Sequence, residues 1–80
     1  MTRRDEIERD LVEICSAVLE HPVDATASRA TDAAWDSLRH MQVIFAVEEK
    51  YDNSFTEEEI FRLDSIGKLA DHLEQRLPAE

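Results

Sequence analysis

Apolar side chains return at every third or fourth residue in three separate stretches, and that spacing commits the chain to amphipathic helices. Ile7, Leu11, Ile14, Cys15, Val18 and Leu19 mark the first stretch, Val43, Ile44, Val47 and Tyr51 the second, and Ile66, Leu69, Ala70, Leu73 and Leu77 the third. A single Gly and two Pro in 80 residues point the same way, since the tight turns of a many-stranded β fold draw on Gly for positive φ. The chain reads as all-α.

Boundaries follow from capping residues and breakers. Thr2-Arg3-Arg4-Asp5 resembles a capping box and opens a helix from Thr2 to about Glu20, which His21-Pro22 ends because proline cannot continue the hydrogen-bond ladder. Val23 to Trp35 is rich in Asp, Ala, Thr and Ser without a sustained period, so it reads as a long loop anchored by Val23 and Trp35. A loop of that length in so small a domain suggests function. The second helix runs from Ser37 to about Tyr51 with Asp36 as N-cap, and Asp52-Asn53-Ser54 closes it. Phe55 is expected to tuck inward. Thr56-Glu57-Glu58-Glu59 is a second capping box, opening a short helix around Glu57 to Arg62, and a last helix spans about Ser65 to Leu77 and stops before Pro78. The expected architecture is a small four-helix bundle, one domain over residues 1–80 with an ordered core of about 3–77.

The junction Trp35-Asp36-Ser37-Leu38 sets one hydroxyl at the start of the second helix. The first N–H groups of a helix lack intrahelical partners and the helix dipole is positive there, so a phosphodiester on Ser37 is favoured electrostatically. No base, oxyanion donor or metal cluster accompanies it in the sequence, which makes Ser37 an attachment point for another enzyme's chemistry rather than a nucleophile for its own.

Nineteen acidic against nine basic side chains give a net charge of −10, which repels nucleic acid and anionic lipid and draws in proteins with Lys/Arg-rich docking surfaces. Acidity of this kind also simply keeps a small helical protein in solution. The lone Cys15 forms no internal disulfide and lies on an apolar face, where buried packing is the expectation. No signal peptide or membrane span is marked, which makes the cytoplasm the expected location and excludes membrane insertion. His21, His40 and His72 fall on different elements and give a zinc site little support. An EF-hand starting at Asp52 fails as well, with Glu57 where Gly is needed and Leu63 where the last carboxylate ligand belongs.

In this order and spacing the residues resemble the acyl carrier protein family, including its peptidyl and aminoacyl relatives. The resemblance rests on Asp36-Ser37-Leu38, Val47-Glu48-Glu49-Lys50-Tyr51, Phe55, Thr56-Glu57-Glu58-Glu59-Ile60 and Ser65-Ile66-Gly67-Lys68-Leu69, and it covers nearly the whole chain. It implies a covalent 4′-phosphopantetheine on Ser37 whose terminal thiol holds acyl or aminoacyl cargo as a thioester. It further implies a non-catalytic protein whose partners are a phosphopantetheinyl transferase, a loading ligase, and downstream acyl-transfer or condensing enzymes. Asp36 would help organise the metal and coenzyme A at the transferase interface. The implied docking surface comprises Leu38, Arg39, Met41, Gln42, Glu48 and Glu49.

The chain departs from the pattern of fatty-acid-synthesis carriers at two places. Ala34-Trp35 stands where those carriers have a Gly two residues before the Asp, and Trp35 is either a loop anchor, the favoured reading for so large an aromatic, or part of a docking surface. Arg39, His40 and Gln42 replace acidic residues beyond the serine, which leans toward a free-standing carrier in a dedicated biosynthetic pathway; Arg39 and His40 are equally readable as ordinary solvated residues. An unmodified acidic helical adaptor with the same fold is the alternative. A monomer is expected, since core assignment leaves no strong apolar stripe over.

Overall fold

The computed structural model describes residues 2–77 and contains four helices: α1 (Arg3–Leu19), α2 (Ser37–Tyr51), α3 (Glu57–Arg62) and α4 (Ile66–Arg76). Each begins where a short polar side chain can take up an orphan N–H. Thr2 and Thr56 form full capping boxes with Asp5 and Glu59, Asp36 accepts from the Arg39 N–H, and Ser65 from the Lys68 N–H. The end residues differ slightly from expectation. Thr2 and Ser65 cap their helices from outside, and α1 stops at Leu19 because Glu20 turns left-handed at φ 60 before His21-Pro22. Leu77 is the C-cap of α4, and Pro78 lies outside the described residues.

The apolar periodicity becomes the core. Ile7, Leu11, Cys15 and Leu19 form a buried ridge along α1, which packs against α4 through Ile66, Leu69, Ala70 and Leu73 and against α2 through Val43, Ile44 and Val47. Each such large side chain stabilises the fold by about 1.5–3 kcal/mol relative to leaving it in water. Tyr51 is only partly buried, and its hydroxyl donates to Asp10 at 2.7 Å, tying the end of α2 to α1. Helix α3 has no fully buried residue of its own; Phe55 and Leu63 enter the core at its two ends, and Ile60 packs partly buried against it.

The long first loop is a folded segment pinned to the far side of the chain. An antiparallel bridge pairs Ser28 with Ser65: the Arg29 N–H donates to Asp64 O at 3.0 Å and the Ile66 N–H to Ala27 O at 3.1 Å. Ala27 and Trp35 are buried by this arrangement, while Val23 is half-buried against the core. Among the described residues no helix is long and apolar enough to cross a membrane.

Candidate functional site

The loop returns to the bundle through Trp35, which is 2% exposed and so serves as the anchor the sequence favoured. Its indole N–H donates to His40 Nδ1 at 3.0 Å. Because indole can only donate, Nδ1 is the acceptor, and the proton sits on Nε2, which donates to the Ile60 carbonyl at 2.6 Å. One imidazole thus links the end of the loop, the first turn of α2 and the body of α3. His40 is 2% exposed, so its reading as a solvated residue is corrected.

With Trp35 fixed, Asp36 becomes the N-cap, its Oδ1 accepting from the Arg39 N–H and its carbonyl from the His40 N–H, both at 2.8 Å. Helix geometry then leaves the N–H groups of Ser37 and Leu38 as the first-turn donors that neither the cap nor the helix uses. Ser37 is the exposed first residue of α2, as the sequence requires of an attachment point. Its Oγ accepts from Arg29 Nη2 at 3.1 Å, and Arg29 Nε reaches the Trp35 carbonyl at 3.4 Å. A guanidinium cannot take a proton from the hydroxyl, so this contact does not activate Ser37 as a nucleophile. Exposed oxygen, free helix N–H groups and a guanidinium together suit an anion bonded to Oγ.

The other residues of the implied docking surface divide. Leu38 is 68% exposed, Gln42 and Glu49 are exposed, and Met41 is half-buried. Arg39 instead folds back onto the end of α1, donating to Val18 O at 2.7 Å and Glu20 at 3.2 Å, where a cation meets the orphan carbonyls of a helix C-terminus. It is therefore not an ordinary solvated residue. Glu48 accepts the Phe55 N–H at 2.9 Å and fixes the α2–α3 loop. The departures at Arg39 and His40 thus have internal causes.

Three features escaped the sequence reading. Arg29 carries no local signal, because its proximity to Ser37 depends on the Ser28–Ser65 bridge. Phe45 and Phe61 are 58% and 68% exposed, and Phe45 lies two turns beyond Leu38 on the same side of α2, so core assignment does leave apolar surface over. A cleft of about 290 Å³ between α3 and α4 is lined by Arg62, Leu63, Lys68, Asp71, His72 and Gln75 and includes no residue of the Ser37 junction. Among the described residues, no His, Cys, Asp and Glu side chains gather in a group able to hold a metal ion. Cys15 is buried, and burial pushes its thiol up to about 12, far from the reactive range.

A family model described as a phosphopantetheine attachment site matches residues 9–73. Among solved structures, the chain is similar to a type-II acyl carrier protein from Streptomyces verticillus involved in bleomycin biosynthesis, with a TM-score of 0.79 and 23% identity over 95% of this chain and 92% of that one. It is also similar to a holo acyl carrier protein from Geobacter metallireducens, with a TM-score of 0.75 and 29% identity over 88% of this chain and 84% of that one.

Proposed function

The chain belongs to the phosphopantetheine attachment family, whose prosthetic group is covalent, and on that premise we propose that it holds acyl or aminoacyl intermediates as thioesters on a 4′-phosphopantetheine esterified to Ser37. The observation that carries this reading is the exposed Ser37 hydroxyl on the first residue of α2, bordered by helix N–H groups and the Arg29 guanidinium. The bound group supplies a terminal thiol on a flexible arm, which raises the effective concentration of cargo at any enzyme the domain docks. Cys15 is a poor substitute for that thiol, being buried and hard to ionise.

Loading is the work of a phosphopantetheinyl transferase. The Ser37 Oγ–P bond forms as the pyrophosphate bond of coenzyme A breaks; adenosine 3′,5′-bisphosphate leaves, and the hydroxyl proton passes to the transferase. Asp36 holds the serine in place as N-cap and would help organise the transferase's metal and coenzyme A. Partner recognition uses Leu38, Met41, Gln42 and Glu49, with Arg39 and Glu48 supporting that face from within. The first turn of α2 has no acidic residue, which supports a dedicated pathway, such as polyketide, nonribosomal peptide or envelope chemistry, over housekeeping fatty-acid synthesis. We assign catalysis to the loading ligase and the acyl-transfer and condensing partners, and place the carrier, as a single domain, in the cytoplasm.

Intact-mass measurement after incubation with a phosphopantetheinyl transferase and coenzyme A tests the reading. Wild type is expected to gain one phosphopantetheinyl mass and Ser37→Ala none. No gain by wild type, or an equal gain by the variant, would overturn it, the first result favouring an unmodified adaptor.

A further inference from the structure

Arg29 is a cation held in place by the fold and aimed at a neutral oxygen. Its backbone N–H is bonded to Asp64 O at 3.0 Å across the Ser28–Ser65 bridge, so the residue cannot drift with a loose loop. From that anchor Nε reaches Trp35 O and Nη2 reaches Ser37 Oγ. Arg4, Arg39, Arg76 and Lys68 each pair with a carboxylate, whereas among the described residues no carboxylate stands within ion-pair distance of Arg29. In a chain with 19 acidic side chains, that places a guanidinium without a carboxylate partner beside the hydroxyl to be modified.

We propose that Arg29 is the positioning residue for the prosthetic group: it grips the phosphodiester and sets the direction in which the arm leaves the surface. The inference rests on attachment at Ser37. Esterification puts one negative charge on the two non-bridging oxygens, two bonds beyond the atom that Nη2 already contacts. The contact of a cation with a neutral hydroxyl is thereby exchanged for hydrogen bonds in which both partners carry charge. The planar guanidinium can use two of its N–H groups at once, a geometry that lysine cannot copy. The Ser37 and Leu38 N–H groups approach the same anion from the helix side, so the phosphodiester sits between loop and helix.

The test uses ¹⁵N-labelled apo and holo protein, wild type and Arg29→Gln, with loading confirmed by intact mass. The Arg29 Nε–H resonance, assigned by its loss in the variant, is expected to move on loading while that of Arg39 stays. The ³¹P resonance of the holo form is expected to differ between wild type and Arg29→Gln, with Arg29→Lys in between. Raising salt to about 1 M, where screening acts within about 3 Å, is expected to move the wild-type ³¹P resonance toward that of Arg29→Gln and to leave the latter in place. Loading with an unmoved Arg29 Nε–H and the same ³¹P shift in both proteins overturns this role alone. Absence of loading overturns the attachment reading and this role with it. Should Arg29→Gln fail to fold, Arg29→Lys and the wild-type salt series decide the question.

Discussion

At the level of single residues, the Trp35–His40 bond carries most of the local specificity. Both partners are buried, and the indole N–H to Nδ1 distance is 3.0 Å. Trp35→Phe keeps an aromatic anchor but strips Nδ1 of its donor, so it is expected to cost about 1–3 kcal/mol, read as a lower urea midpoint. In a His40→Phe background the same change should cost less, because the acceptor is already gone. Equal costs in both backgrounds would mean that the loss is one of packing volume alone. Trp35 was legible as an anchor from size and hydrophobicity. His40 was not, since the Ile60 carbonyl lies 20 residues on and meets it only once α3 has docked against the start of α2.

Helices α1 and α3 share one capping device but differ in what else holds them. Thr2 with Asp5 and Thr56 with Glu59 are reciprocal boxes, yet α1 is a 17-residue helix with a buried ridge, whereas α3 has six residues, none of them buried. Losing an N-cap threonine costs about 1 kcal/mol in either place. At α1 that loss should appear in global stability, because the helix cannot open without exposing the core. At α3 it should appear as faster amide exchange over residues 57–62, roughly fivefold, with the urea midpoint nearly unchanged. Thr2→Ala and Thr56→Ala compared by urea unfolding and native-state exchange make the check; equal losses of global stability would show that α3 unfolds only with the rest. The elements were readable because capping boxes and apolar spacing are local signals. The hold of Arg39 on α1 and the Ser28–Ser65 bridge join residues far apart in sequence, so no window along the chain contains them.

For the molecule as a whole, acidity and protonation act in opposite directions. A net charge of −10 repels itself, so protonating carboxylates on the way to low pH would relieve the folded state. That relief begins only near the ordinary carboxylate range around pH 4, which leaves a window above it where histidine decides. His72 packs against Phe55 with ring centroids 5.2 Å apart, and its Nε2 is buried without a hydrogen-bond partner. Burial holds its pKa below the ordinary 6.5, with Arg76 and Arg62 adding to the depression and Glu59 opposing it. The fold therefore favours the neutral ring. As pH falls through 6.5 the unfolded chain takes up the proton first, and stability must fall with it. Farther down, the Glu59 carboxyl, held low by the Thr56 N–H, and that of Asp64, held low by Lys68, contribute stability above their unfolded values of 4.5 and 3.8 that is lost on acidification. The urea midpoint is thus expected to drop between about pH 7.5 and about pH 5.5 at constant m, and His72→Phe, which keeps the ring and removes the titration, should flatten that drop. A wild-type midpoint that rises over this interval would overturn the reading that the neutral His72 ring governs stability there.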